Sequence, residues 1–355
     1  MKRLSLAALL ASALFVPMLM VGPSTTADGG ANHQVRNLHF GVSGGNVNDI
    51  SRRFCCSGTL GSLVQDSSGT QYILSNNHVL GLAGSAQVGD DISQPGLIDN
   101  NCRVSTVVAD FTVAPSLSTG VDCAIAKLIP GQMDSTGFIE DIGTISSVVK
   151  APSVGLSVAK SGRTTGFTTG SISSISTTVS VRYPKSCGGG GGTLFTFANQ
   201  VVITSSTFSA GGDSGSLIVS NNACHQPVAL LFAGSSSSTI GNPVGPVLAG
   251  LSTSLGSTVS FVGSTCSALT AGEPEITGPS EAAIMFATAV ARSRGDELLT
   301  RPGVLGVGVG ASDDDPSQAS IVVYVDSSND AGVRIPKRIN GVRVKKVLTD
   351  PFVAY

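Results

Sequence analysis

The sequence predicts a mainly β protein, with two antiparallel all-β units of roughly 100 residues each followed by a small α+β domain. Three observations predict it. Glycine is abundant at 44 residues, tryptophan is absent, and Ser, Thr and Val recur, which suits short strands joined by tight turns better than helices. Short apolar runs bounded by turn formers repeat between Asn37 and Gly234. After Cys266 the texture changes to a Pro/Gly-rich link and one helical pattern.

In chain order, Lys2 and Arg3 form a positive start, Leu4 to Val21 an apolar stretch, and Thr25-Thr26-Ala27 a small-residue cleavage site, so residues 1–27 read as a signal peptide. Pro17 interrupts the apolar run and argues against a stable membrane anchor; the mature chain is expected to be exported, starting near Asp28. The first unit, 37–130, contains strands at Gly58 to Gln65 and Gln71 to Ser75, joined as a hairpin through Asp66-Ser67-Ser68-Gly69, and a further apolar run at Val121 to Ile129. Pro130 to Pro152 connects to the second unit, 150–266, whose strands fall at Gly155 to Ala159, Gly170 to Val181, Gln200 to Thr204, Ser216 to Ser220 and Val228 to Gly234. The glycines Gly188 to Gly192 are expected to form a mobile surface loop.

Residues 267–279 read as a linker, and 280–355 as a distinct α+β domain of unknown role. Ser280 offers an N-cap, Glu281 suits the first turn, and Ala282 to Leu299 carries good helix formers up to Pro302. Strands follow at Val304 to Val309, Ile321 to Val325 and Val342 to Val347. The run G-V-G-V-G at Gly306 to Gly310 comes after the helix and opens none, so it reads as strand rather than phosphate loop. Asp313 to Asp315 reads as a solvated turn.

The chain has 355 residues, 12% of them charged, and a net charge of −2, which gives no electrostatic footprint for nucleic acid. Its seven cysteines match no zinc spacing and do not cluster with the four histidines; in an oxidising compartment most would pair, leaving at least one over. No metal or cofactor is expected.

The segment F-S-A-G-G-D-S-G-S-L, from Phe208 to Leu217, sets one serine among three glycines and an aspartate. A serine hydroxyl becomes a nucleophile only when a base takes its proton, a third group orients that base, and N–H donors receive the oxyanion. Gly212 and Ser214 can aim two N–H groups at one point if the backbone turns tightly. His78, in Y-I-L-S-N-N-H-V-L, follows a strand on a loop able to aim a side chain. Asp122, in G-V-D-C-A-I-A, is the favoured orienting carboxylate, with Asp99 and Asp110 as rivals. The order His78, Asp122, Ser214 is that of chymotrypsin; subtilisin and the α/β-hydrolases use other orders.

Taken together, C-S-G-T-L-G-S-L-V, L-S-N-N-H-V-L, D-C-A-I-A and G-G-D-S-G-S-L resemble the chymotrypsin-like serine protease family. The run V-A-K-S-G-R-T-T-G-F-T-T-G-S-I at Val158 to Ile172 resembles the start of the second barrel in its secreted bacterial branch, which includes alpha-lytic protease and the streptogrisins. The resemblance spans Asn37 to Leu251 and implies two six-stranded antiparallel β-barrels with the active site between them. It implies His78 as general base and acid, Asp122 as its orienter, Ser214 as the acylated residue, and Gly212 and Ser214 as oxyanion donors. It also implies that Arg163 pairs with Asp213, and that Phe208, Phe232, Ala233 and Gly234 line the specificity pocket.

Three features depart from the family's pattern. The residues before His78 are Ser75-Asn76-Asn77 rather than Thr-Ala-Ala, and no cysteine follows it. The N-N-H-V variant is similar to bacterial trypsin-like proteins related to the plant Narrow leaf proteins. Phe208 stands where trypsin carries an aspartate, which argues against a preference for Arg or Lys. The expected partner is a peptide or protein substrate, with a contact of the C-terminal domain onto the protease unit as a further expectation. The alternative reading is a protease-fold binding protein without turnover.

Overall fold

The computed structural model describes residues 33–52, 54–189, 191–266 and 278–355. The signal-peptide reading, and most of the linker reading, lie outside the described residues. Strands β1 (Val42–Asn46), β2 (Gly58–Leu60), β3 (Ser62–Gln65), β4 (Gln71–Ser75), β5 (Asp91–Gln94), β6 (Thr106–Val113) and β7 (Ala124–Leu128) build the first sheet, with helix α1 (Asn77–Leu80) directly after β4. A two-stranded ribbon, β8 (Phe138–Ile139) and β9 (Gly143–Thr144), lies in the connection.

The second sheet begins with β10 (Ser157–Gly162), β11 (Gly166–Ser171), β12 (Ser174–Tyr183), β13 (Thr193–Thr204), β14 (Leu217–Ser220), β15 (Pro227–Gly234) and β16 (Ser238–Pro243). Helix α2 (Val244–Leu255) then leads to β17 (Ser260–Phe261), which returns to the first sheet beside β3. The C-terminal region supplies α3 (Glu281–Leu299), β18 (Val304–Ala311), β19 (Ala319–Asp326), β20 (Arg338–Ile339), β21 (Val342–Thr349) and β22 (Phe352–Ala354).

The sheets form a closed β-barrel and a curled half-barrel. Their strand orders are β17-β3-β4-β7-β6-β5-β1-β2 and β11-β10-β14-β15-β16-β13-β12-β18-β19-β21-β20, with β22 pairing both β12 and β15. The sheets thus carry eight and twelve strands rather than six each. One cause is Gly61, which splits the expected Gly58 to Gln65 strand into β2 and β3. The other is the addition of β17 and the C-terminal strands.

The β3–β4 turn forms where Asp66 Oδ1 accepts from Ser68 N and Thr70 N, an Asp-centred turn that fixes the hairpin register Leu63↔Ile73. Strand β15 is buried along its whole length, because it runs between two paired neighbours at the centre of the molecule; its apolar sequence P-V-A-L-L-F-A-G reflects that. Helix α3 starts where Ser280 Oγ accepts from Ala283 N, and it seats Ala287, Val290, Ala291 and Leu298 on Val304, Val307, Val309, Ile321 and Val323. The G-V-G-V-G run is strand β18, as the sequence indicates: its valines face α3, while a Cβ on Gly308 would lie 2.2 Å from the Thr177 hydroxyl of β12.

That close approach joins the C-terminal unit, which keeps a hydrophobic cluster of its own, to the second sheet. Strand β18 pairs with β12 through Val179↔Gly306 and Ile175↔Val309, so the C-terminal strands continue the second sheet instead of forming a separate one. The acidic run is an exposed turn in which Asp313 and Asp314 pair with Lys345 and Arg343. Disulfides join Cys55–Cys102, Cys56–Cys187 and Cys224–Cys266, and Cys123 is free and buried. Cys56–Cys187 tethers the start of the glycine run, expected to be mobile, to the first barrel, and Gly188 lies against the Phe54 ring. Among the described residues no helix is long and apolar enough to cross a membrane.

Candidate active site

His78 sits in the single turn α1, and the two asparagines that depart from the family pattern hold that turn. Asn76 Nδ2 donates to the Asp122 carbonyl at 2.7 Å, and Asn77 Nδ2 to the Pro115 carbonyl at 2.9 Å. Two amide hydrogen bonds therefore brace the segment in which the family's T-A-A offers one hydroxyl.

His78 Nδ1 donates to Asp122 Oδ2 at 2.5 Å, and the His78 backbone N–H to Asp122 Oδ1 at 3.2 Å. Asp122 is fully buried at the entry to β7, and Asn242 Oδ1 accepts from its backbone N–H at 2.9 Å. A third donor completes the carboxylate: the Tyr183 hydroxyl, from the end of β12, at 2.6 Å from Oδ2. Sequence reasoning missed Tyr183, since an isolated strand tyrosine carries no signal of a partner 61 residues away. Burial, then the Asp122 charge and the hydrogen bond to it, hold the Tyr183 phenol well above its ordinary pKa, so it remains a donor.

The other His78 nitrogen, Nε2, lies 2.9 Å from the backbone carbonyl of Tyr355. A carbonyl only accepts, and an ionised carboxylate only accepts, so both ring nitrogens donate and the ring is imidazolium in this arrangement. Burial opposes protonation, but the Asp122 charge and hydrogen bond, the Tyr355 carbonyl and Asp49 outweigh it and raise the imidazole pKa.

Ser214 comes from the second barrel, in the turn before β14. Its Oγ donates to the Phe232 carbonyl at 3.1 Å, and its own carbonyl accepts from Thr59 N of the first barrel at 2.7 Å. Val79, next to His78, and the Ser214 carbonyl both crowd the Cα of Gly58, which brings the two halves of the site to one place. Ser214 Oγ and His78 Nε2 are not hydrogen-bonded to each other; each is engaged as described. Gly212 has φ +97°, the left-handed turn the sequence calls for, and among the described residues no backbone carbonyl accepts from Gly212 N–H or Ser214 N–H.

The expected Arg163–Asp213 pair is not formed. Arg163 instead makes a bidentate contact with Asp99, with Nε and Nη2 each at 2.6 Å from a carboxylate oxygen. Asp99, a rival for the orienting role, also accepts from Ser43 Oγ at 2.6 Å, so it braces Arg163 rather than His78. The cation near Asp213 is Lys160, Nζ 3.7 Å from Oδ2, with both side chains fully buried. Asp213 further accepts from Thr164 N, Thr165 N, Thr165 Oγ1 and Ala210 N at 2.7 to 3.2 Å. The physical reason is position: Lys160 lies inside β10, which is buried from Val158 to Gly162, whereas Arg163 lies past its end in the turn and reaches back to Asp99 of the first barrel. Asp110, the other rival, stands on β6 opposite Lys127 and Asp91.

Of the expected pocket residues, Gly234 and Phe208 adjoin one site: the Tyr355 phenol lies against Gly234, and its ring packs on the cluster containing buried Phe208. The Phe232 ring turns the other way, 4.9 Å from Phe197, and Ala233 belongs to that same cluster. That cluster also holds Phe352 and Ala354 of β22.

No protein-family model and no curated protein matches this sequence. Solved structures do. A glutamic-acid-specific serine protease is 22% identical, covering 62% of this chain and 98% of its own, with a TM-score of 0.44. Protease A of Thermobifida fusca is 18% identical over 64% of this chain and 98% of its own, with a TM-score of 0.42. A Cellulomonas bogoriensis chymotrypsin is also 18% identical, over 64% of this chain and 99% of its own, with a TM-score of 0.42. The solved structures to which this chain is similar are thus chymotrypsin-like serine proteases.

Proposed function

We propose that the protein is an exported serine endopeptidase that hydrolyses peptide bonds through an acyl-enzyme on Ser214. One observation carries the reading: the buried Asp122 carboxylate holds His78 Nδ1 at 2.5 Å and leaves Nε2 facing the main-chain oxygen of Tyr355. With Nε2 free, His78 accepts the Ser214 proton as Oγ bonds to the substrate carbonyl carbon, and the oxyanion falls to Gly212 N–H and Ser214 N–H. The C–N bond then breaks as His78 returns the proton to the leaving amine. Water adds to the ester in the same way, His78 taking its proton, and Ser214 leaves as the alcohol. Asp122 stays ionised and stabilises the imidazolium. Export is supported by the three disulfides.

A fluorophosphonate probe tests this directly. With Tyr355 displaced from His78, the protein is expected to be labelled on Ser214 and Ser214→Ala not at all; an unlabelled, folded protein with Ser214 accessible would overturn the reading and favour a binding protein without turnover. The labelling rate is expected to rise with pH as His78 loses its proton, with a midpoint above the ordinary imidazole value because Asp122 and Asp49 both face the ring. Tyr183→Phe removes a hydrogen bond to a buried carboxylate and is expected to lower kcat roughly ten- to hundredfold. Since Tyr183 acts through Asp122, KM should hold steady; a fall in affinity with kcat unchanged would remove Tyr183 from the proton-transfer chain.

A further inference from the structure

The C-terminal segment lies against the candidate site. Strand β22 pairs antiparallel with β15 through Ala233↔Ala354 and Gly234↔Val353, and parallel with β12 through Val181↔Phe352 and Arg182↔Val353. Ser214 Oγ bonds to Phe232, the residue before Ala233, while His78 Nε2 meets the carbonyl of Tyr355, the residue after Ala354. The segment therefore runs as an added strand up to the reacting groups and delivers one carbonyl to them. Ser214 is left with no exposed surface.

The Tyr355 side chain fills a matching recess. Its hydroxyl donates to the Ser235 carbonyl at 3.0 Å, and its ring packs on the apolar cluster that holds Phe208. A Cβ on Gly234 would stand 2.2 Å from the Tyr355 hydroxyl oxygen, so glycine is what leaves room for the ring. Burial pushes the phenol up to about 12, with the Ser209 hydroxyl opposing and Asp213 adding to the rise, so the recess holds it neutral. Asp213 is already engaged by Lys160 and four hydrogen-bond donors.

We propose that Phe352–Tyr355 occupies the substrate cleft in the manner of a peptide substrate, so that the subsite before the scissile bond takes a tyrosine-like aromatic side chain and the full chain keeps its own cleft closed. This rests on the endopeptidase reading and names its substrate class. Closure is chemical as well as steric. With its carbonyl on Nε2, Tyr355 holds His78 as imidazolium, the form unable to take the Ser214 proton. The oxygen also lies on the imidazole instead of on the Gly212 and Ser214 N–H groups, so the segment is bound without reacting.

The test uses full-length chains and a readout that needs no turnover. Acetyl-Phe-Val-Ala-Tyr is titrated into Ser214→Ala and into Ser214→Ala/Tyr355→Asp, with circular dichroism to establish that both are folded. The peptide is expected to bind the double variant at least tenfold more tightly, because a carboxylate cannot fill an apolar recess and the native segment vacates it. Ending the peptide in Lys or Asp should weaken binding at least tenfold. Tyr355→Gly serves if the aspartate variant misfolds, and Tyr355→Phe should behave as its parent. Equal affinity of the two chains, or indifference to the peptide's last residue, would overturn the proposal. Peptide binding without fluorophosphonate labelling of the Tyr355→Asp chain would keep the occupied recess and its aromatic preference but remove the endopeptidase reading.

Discussion

Asp122→Asn is expected to lower kcat by about 10⁴-fold while leaving fold and substrate affinity nearly unchanged. Asparagine matches aspartate in size, so the loss is one of proton placement. Its amide nitrogen can only donate, and turned toward His78 Nδ1 it would fix the proton on Nε2, the atom that must accept from Ser214. Turned the other way, its oxygen keeps the His78 and Tyr183 contacts but no longer supplies a negative charge opposite the imidazolium, in a site where Asp122 is fully buried and water cannot substitute. Steady-state hydrolysis of an aromatic-terminated peptide, measured on folded variants of the Tyr355→Asp chain, is the check. Asp110→Asn is the companion variant, because Asp110 faces Lys127 and Asp91 across strand pairs and touches none of these groups. An Asp110→Asn loss comparable to that of Asp122→Asn would assign the wrong carboxylate.

Local pattern made much of this legible. His78 follows a strand, Asp122 stands at the mouth of another, and the glycines around Ser214 mark a tight turn; each is a short-range cue, and most strand and helix positions agree, although the segment read as one strand from Gly170 to Val181 is divided between β11 and β12. The Gln71 to Ser75 strand and the 281–299 helix were set by turn and cap residues within a few positions of their ends. What escaped depends on residues far apart along the chain. Tyr183 reaches Asp122 only because β12 runs beside the site, and β22 is a three-residue strand whose partners lie 119 and 171 residues upstream in register, Gly234↔Val353 and Val181↔Phe352, respectively. No local propensity encodes such a pairing. The choice between Lys160 and Arg163 was closer to hand. Lys160 lies within β10, which is buried on both faces from Val158 to Gly162, whereas Arg163 falls just beyond the strand's end.

That choice yields the second large effect. Asp213→Ala is expected to destabilise the fold by about 3–5 kcal/mol, read from denaturant midpoints, and Lys160→Met by clearly less. The asymmetry follows from what each deletion strands. Burial already brings the Lys160 pKa down to about 8 against the pull of Asp213, so without its partner the amine can shed its proton near neutral pH and escape most of the penalty for a lone buried charge. The four donors on Asp213 have no such escape. Thr164 N, Thr165 N, Thr165 Oγ1 and Ala210 N would each lose an acceptor in a site with no room for bulk water, at roughly 1–3 kcal/mol apiece before relaxation. Lys160→Met removes a cation but leaves those four bonds to hold the carboxylate. It also leaves a signature in pH: with a folded pKa near 8 and an unfolded value near 10.5, Lys160 is less protonated in the folded state between the two, so stability of the native chain gains a rising contribution from pH 8 toward 10 that Lys160→Met lacks. Should Lys160→Met prove the more damaging change, or the two chains share one pH profile above 8, the turn that carries Gly212 and Ser214 would be held by the ion pair rather than by its hydrogen bonds.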